Sequence, residues 1–312
     1  MKGIKLGNKQ SKYPIIQGGM GVGVSLHKLA GTVSKEGGIG VIATANISSV
    51  IKNPSRTLNI PLNLSFNSII FSSTFFEEKS SFANLRAIGK EIKLARKIAG
   101  EDKILGVNIM VALKNYAEIV KECVKEKIDL IISGAGIPKD LPEYTKGTDT
   151  KIAPIVSSLR CCKLIVKHWI SKYNYVPDMI IIEGPNAGGH LGFKQEELQE
   201  EKMPKLEDIT GEIVDYIKEV EKETGKEIPV ISAGGIWDGK DVKKYINLGA
   251  SGVQMATRFV ATDECDASEE FKKAYINASC KDVKIIKSPV GMPGRAIYNN
   301  FVKNSEIAKS KI

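Results

Sequence analysis

Eight times along this chain a short run rich in Ile, Val and Leu gives way to a polar turn and a longer crossover stretch. The runs are Tyr13–Gln17, Ile39–Ala43, Ile104–Met110, Leu130–Ser133, Ile152–Ser157, Met179–Glu183, Pro229–Ala233 and Gly252–Met255. Continuous apolar runs of this length read as strands buried on both faces. Helix-like stretches at Ser25–Glu36, Ser81–Ala99, Asn115–Lys127, Ser158–Tyr173, Leu206–Thr224 and Lys240–Leu248 separate them. Parallel neighbours need crossovers of about a dozen residues or more, so the pattern predicts a parallel sheet. Only Pro138–Lys146 is too short and broken for a good helix. Eight such units in 312 residues suit a closed (β/α)8 TIM barrel. An open doubly wound sheet is the alternative, but no GxGxxG opens a first helix. With no composition break, residues 1–312 read as a single domain. Two long excursions, 47–80 and 184–206, would sit on the C-terminal rim as lids, and 263–312 forms a C-terminal extension that is helical in part.

Composition narrows the function. The formal net charge is +9, but only six of the 45 basic residues are arginine and no basic block is interleaved with aromatics. Dispersed lysine is a solubilising surface, so no nucleic acid is expected, while an acidic small molecule or acidic protein partner remains compatible. Five cysteines without a CxxC pair imply neither a disulfide framework nor a thiolate zinc site, and no metal is expected. The stretch Leu58–Phe76 is interrupted by Asn59, Pro61, Asn63 and Asn67, which argues against a membrane span. Met1–Gln10 is polar and basic, so a cytoplasmic protein is expected.

The chemistry collects at the strand ends. They read Gln17-Gly18-Gly19-Met20-Gly21, Ala43-Thr44, Asn108, Ser133-Gly134-Ala135-Gly136, Ser157-Ser158, Glu183-Gly184, Ala233-Gly234-Gly235 and Gln254-Met255-Ala256-Thr257. Glycine lets backbone approach a flat ligand, and an amide offers a donor and an acceptor together. Turns collect glycine for their own reasons, but the same chemistry at almost every strand end favours a ligand over the barrel mouth. Gly234-Gly235 and Ala256-Thr257 follow the seventh and eighth strands, the usual phosphate position of such barrels. Of the three histidines, His27 and His168 lie in helical stretches, whereas His190 lies in the glycine-rich loop after the sixth strand. An imidazole there is the candidate general base or proton donor. Cys161-Cys162 read as packing thiols and Asp238 as a helix cap.

Taken in order, Tyr13-Pro-Ile-Ile-Gln-Gly-Gly-Met20, Gly106-Val-Asn-Ile-Met110, Ser133-Gly-Ala-Gly136, Ala187-Gly-Gly-His190, Ile231-Ser-Ala-Gly-Gly-Ile236 and Gln254-Met-Ala-Thr-Arg-Phe259 resemble the nitronate monooxygenase family, formerly called 2-nitropropane dioxygenases. The superfamily also holds the FMN-dependent enoyl-acyl-carrier-protein reductase II. The resemblance implies an FMN-binding TIM barrel. It implies that Gly18, Gly19 and Met20 line the flavin, that Asn108 bonds its ring, and that Gly188 and Gly189 approach it. Gly234, Gly235, Gln254, Met255, Ala256 and Thr257 would surround its phosphate, and His190 matches the family's catalytic histidine. Glu183, also placed at the cofactor, stands where many members have glutamine. An ionised carboxylate only accepts hydrogen bonds, so this departure bears on substrate choice. The segment Ser288–Arg295 resembles part of some members near the mouth, without an assigned role.

Three functions follow as expectations. The first is an FMN-dependent monooxygenase that oxidatively denitrifies alkyl nitronates. The second passes hydride from NAD(P)H through the flavin to an enoyl thioester, with an acyl carrier protein as partner. The third is a barrel that binds a phosphorylated metabolite without redox chemistry.

Overall fold

The computed structural model describes residues 1–45, 47, 74–199, 202–287, 293–300 and 302–304, with backbone alone for 74–81. A hairpin of β1 (Lys5–Leu6) and β2 (Lys9–Gln10) precedes β3 (Ile15–Gln17) and β4 (Gly40–Ala43). Next come β5 (Leu105–Met110), β6 (Leu130–Gly134), β7 (Lys151–Val156) and β8 (Ile180–Glu183), then the rim strand β9 (Gly189–His190), β10 (Val230–Ala233) and β11 (Gly252–Met255). All but the hairpin and β9 form one eight-stranded sheet ordered β3-β11-β10-β8-β7-β6-β5-β4, with every neighbouring pair parallel. A parallel bridge between Ile16 and Ile39 joins the two ends. There Gln17 N–H donates to Ile39 O at 2.9 Å, and Ile39 N–H donates to Ile15 O at 3.0 Å. The buried Gln17 amide completes the seam, accepting Val41 N–H at 3.0 Å and donating to Val41 O at 3.2 Å. The fold is the TIM barrel expected, and each barrel strand starts or ends within two residues of its predicted bounds.

The helices are α1 (His27–Lys35), α2 (Thr74–Ala99), α3 (Tyr116–Lys125), α4 (Leu141–Tyr144), α5 (Leu159–Tyr173), α6 (Leu206–Thr224), α7 (Gly239–Asn247), α8 (Thr257–Val260) and α9 (Glu269–Asn277). Helix α6 shows why they form. Leu206, Ile209, Ile213, Ile217 and Val220 fall on one face at helical spacing and are buried, and Gly225 stops the helix at φ 69°. Strand alternation divides the apolar residues into two cores. Ile16, Val41, Leu130, Ile132, Ala153, Ile181 and Ile231 fill the barrel, with Ile4 and Leu6 of the hairpin joining them. Ile42, Val107, Ile131, Ile152, Ile182 and Val253 face the helix layer. Each fully buried Ile or Leu contributes about 1.5–3 kcal/mol.

Helix α2 begins at Thr74 rather than Ser81, so the end of the 47–80 excursion is helix, and residues 48–73 lie outside the described ones. Pro138–Lys146 holds only the single turn of α4. The C-terminal extension is helical in α9, but it continues as β12 (Val283–Lys287) and β13 (Pro293–Ile297). This hairpin pairs antiparallel with β9 to make a three-stranded rim sheet. Of Ser288–Arg295, residues 288–292 lie outside the described residues, and Pro293–Arg295 belong to β13. Among the described residues, no helix is long and apolar enough to cross a membrane.

Candidate active site

The same alternation determines what faces the barrel interior at its C-terminal mouth. Met179 and Ile181 belong to the interior core, so Glu183 shares their face. Val107 and Ile109 face the helices, which turns Asn108 inward, and outward Val253 turns Gln254 inward. Gly18, Ala43, Gly134 and Ala233 follow interior residues Ile16, Val41, Ile132 and Ile231 at the strand period. The mouth layer therefore carries Asn108, Glu183 and Gln254 among glycine and alanine, with Ser157, at the end of β7, level with Glu183.

Close packing explains the glycines after β3. A Cβ on Gly19 would lie 2.5 Å from Asn108 Cβ, and one on Gly18 would lie 3.2 Å from Gln254 Cγ. The two amides are thus wedged against the Gly18-Gly19 turn. Gln254 Oε1 is buried and has no hydrogen-bond partner among the described residues. An unmet buried acceptor costs about 1–3 kcal/mol, which a ligand donor at the mouth would recover. Met20 N–H donates to Ser25 Oγ at 2.8 Å, and its side chain packs against Val24, Val260, Cys265 and Ala267. Met255 turns its side chain to the outer core, so only its backbone can serve the mouth.

The loops after β10 and β11 are neighbours because those strands pair. Gly234 and Gly235 have φ of 108° and 75°, a region side chains rarely adopt. A Cβ on Gly234 would stand 2.9 Å from Ala187 N, and one on Gly235 would stand 2.9 Å from Asn186 Cβ. The glycine pair is pressed against the 184–187 turn, itself tied by Gly184 N–H to Ala233 O at 2.7 Å. Helix α7 has its own caps: Asp238 accepts Lys240 N–H at 2.8 Å and Asp241 N–H at 3.1 Å. Asp238 is the helix cap expected, and α7 offers an anion little. Gly234, Gly235, Ala256 and Thr257 are left as the cradle, with Thr257 opening α8.

His190 is held from two sides. In β9 it stands opposite Gly294 of β13, and Leu191 N–H donates to Pro293 O at 3.0 Å. Leu191 is buried in the outer core, so His190 occupies the other face of the strand, half-buried on the rim. Two residues on, Gly192 N–H donates to Glu183 Oε2 at 2.8 Å, and Ser157 Oγ donates to Gly192 O at 2.8 Å. Glu183 is half-buried, and its bond to Gly192 lies at the exposed rim. That burial pushes it up to about 7, against the pull of the Gly192 N–H. Gly188 and Gly189 are exposed, and a Cβ on either would meet no described residue within 4 Å. At Gly188, where φ is not positive, nothing in the chain's own packing demands glycine.

The structure thus brings Gly18, Gly19, Asn108, Glu183, Gly188, Gly189, His190, Gly234, Gly235, Gln254, Ala256 and Thr257 to one end of the barrel. Gln254 sits in the interior layer against Gly18 rather than with Ala256 and Thr257 in the loop after β11. His27 pairs with Glu91 in the helix layer, Nδ1 to Oε2 at 2.7 Å, and His168 packs edge-on to Tyr173. Cys162 is fully buried with its thiol pushed up to about 12, and all five cysteines are free. Among the described residues, no group of three or more His, Cys, Asp or Glu is placed to hold a metal. Sequence reasoning missed the β13 strap opposite His190. The β-branched residues Val283, Ile285 and Ile286 of its hairpin partner β12 were the available signal.

The nitronate monooxygenase family model matches residues 4–312. The chain belongs to that family. It is 30% identical over 305 residues to a probable nitronate monooxygenase of Staphylococcus saprophyticus, covering 93% of this chain and 77% of that relative. Among solved structures it resembles FabK from Thermotoga maritima, at 26% identity and TM-score 0.68, over 96% of this chain and 76% of that one. The nitroalkane oxidase from Streptomyces ansochromogenes shares the fold, at 19% identity and TM-score 0.66, over 94% of this chain and 79% of that one. The family is one of oxidoreductases, and this chain is an enzyme of it.

Proposed function

We propose that this enzyme is an FMN-dependent nitronate monooxygenase, converting alkyl nitronates and oxygen to a carbonyl compound and nitrite. The observation that carries the reading is the mouth itself. Buried Gln254 Oε1 has no hydrogen-bond partner among the described residues there, and it sits with Asn108 against the Gly18-Gly19 turn. A flat ring with donors and acceptors on its edge fits that chemistry, and a phosphate fits the strained glycines after β10. When bound, FMN supplies the electron acceptor that no protein side chain provides.

The remaining work belongs to the chain. Asn108 and Gln254 hold the ring edge by amide hydrogen bonds, while Gly18, Gly19, Gly188 and Gly189 let backbone approach its faces. Gly234, Gly235, Ala256 and Thr257 hold the phosphate through backbone N–H groups and the Thr257 hydroxyl. His190 orients the anionic substrate, or takes its proton on an imidazole nitrogen. The rim sheet and the loop behind it keep water from the reacting face.

A second reading has specific support. The likeness to FabK from Thermotoga maritima spans 96% of the chain, and a net charge of +9 suits an acidic carrier protein. There NAD(P)H would donate hydride and an enoyl thioester would accept it, over the same mouth. The experiment is to load the protein with FMN and assay nitrite release and oxygen uptake with an alkyl nitronate. NAD(P)H oxidation with an enoyl thioester is measured beside it. Nitrite release that tracks flavin content supports the first reading. Thioester reduction without nitrite release replaces it with the second, and a protein that never retains flavin overturns both.

A further inference from the structure

The loop between β8 and α6 carries His190 and meets the barrel rim at Gly192. A Cβ on Gly192 would lie 3.1 Å from Ser157 Oγ and 3.3 Å from Glu183 Oε2, so its backbone is seated between two strand ends with little room to spare. Both of its peptide groups are taken, the N–H by Glu183 and the carbonyl by Ser157, each at 2.8 Å. On the other side β13 pairs with Gly189 and His190. The histidine therefore lies between a strap and a clasp. The clasp contains an acid where a neutral amide could also accept the hydrogen bond.

We propose that Glu183 is a positioning residue for His190: its ionised carboxylate grips the Gly192 N–H and fixes the histidine loop on the rim, and a proton taken up by Glu183 loosens that loop. A charged acceptor makes roughly twice as strong a bond as a neutral one. Burial brings the carboxyl's titration to about 7, so the grip is full above that pH and weakens as pH falls through it. The groups around Glu183 leave it the titrating member of the clasp. Strand β7 contributes Ser157 and β10 contributes Ala233, neither of which titrates. Cys161, in the first turn of α5, keeps its proton because burial raises its thiol. His190 itself and Arg295, opposite Gly189, are the other ionisable groups of the rim sheet near the clasp. Among the described residues, burial raises Glu183 and the Gly192 N–H opposes it.

The kinetic meaning of the clasp rests on the proposed role of His190, but the clasp itself is measurable without turnover. Amide hydrogen exchange of the 189–193 segment is followed in the full chain as purified, from about pH 5.5 to 8.5, with intrinsic rates divided out. The wild-type protein is expected to lose about ten- to a hundred-fold protection as pH falls through about 7, the worth of one charge-assisted bond. Glu183→Gln, nearly isosteric, should fold normally and show intermediate protection that no longer changes with pH. Glu183→Ala should show low protection throughout. A wild-type profile flat with pH, a pH step surviving in Glu183→Gln, or full protection in Glu183→Ala would each overturn the proposal. Any of these leaves the flavin reading standing, since flavin retention and nitrite release are scored separately on the same proteins.

Discussion

Gly188 is a residue at which the chain's packing and a bound cofactor make different demands. No described residue lies within 4 Å of its side-chain direction, so Gly188→Ala should change the melting of the cofactor-free protein by no more than about 0.5 kcal/mol equivalent. If backbone there approaches a flavin, the added methyl should weaken FMN binding by about ten-fold or more, read by fluorescence titration. Unaltered FMN affinity would move the cofactor away from this loop. Gly235→Asp differs in kind: it adds charge to the proposed phosphate cradle and a Cβ at a φ of 75°, so lower stability and lost FMN retention are expected together. Full FMN occupancy in the purified variant would show the phosphate to lie elsewhere. His190→Asn keeps size and polarity but cannot titrate near neutrality. The FMN-loaded variant should be reduced by substrate about 10²–10⁴-fold more slowly in stopped flow. Near-wild-type rates with an unchanged pH profile would remove His190 from the chemistry.

At the scale of elements, helix α1 shows how distant segments stabilise a barrel layer. It has no side-chain cap of its own. Asp266, far along the chain, accepts Leu26 N–H at 2.8 Å and Leu29 N–H at 3.2 Å in its place. His27 in its first turn bonds buried Glu91 of α2, and that hydrogen bond holds the imidazole above its ordinary 6.5. A raised folded-state value means the pair stabilises in full below pH 6.5 and loses its effect as pH rises through the folded value. The stability deficit of His27→Gln in urea denaturation should therefore be largest in mild acid and shrink toward alkaline pH. A deficit constant with pH would show that packing, not the charge, matters at this contact. Such contacts explain what the sequence could and could not reveal. The barrel strands were legible because residues buried on both faces leave continuous apolar runs, as in Leu130-Ile131-Ile132 and Ile180-Ile181-Ile182. The β12–β13 hairpin was not, because its strands are half-exposed and one partner, β9, lies about a hundred residues away and is only two residues long. The same holds for the site. Glycine and amide at the strand ends announced a ligand, whereas the seating of Gly192 between Glu183 and Ser157 exists only in three dimensions.

At the scale of the molecule, the barrel separates stability from chemistry along its axis. The N-terminal end is tied shut, with Lys9 and Arg96 both on Asp129 and Ile4 and Leu6 closing the interior core. The opposite end gathers the polar side chains of Asn108, Glu183 and Gln254 among glycine and alanine. That polarity is the pattern of a catalytic barrel, and it assigns the mouth rather than the surface charge as the seat of function. The account's central claim is that a flavin sits at this mouth and takes electrons from an anionic nitronate. Anaerobic stopped-flow mixing of the FMN-loaded enzyme with an alkyl nitronate tests it most directly. The flavin absorbance should bleach rapidly with the nitronate and slowly or not at all with NADH or NADPH. A flavin that stays oxidised with every alkyl nitronate tried while a reduced nicotinamide bleaches it would contradict the account.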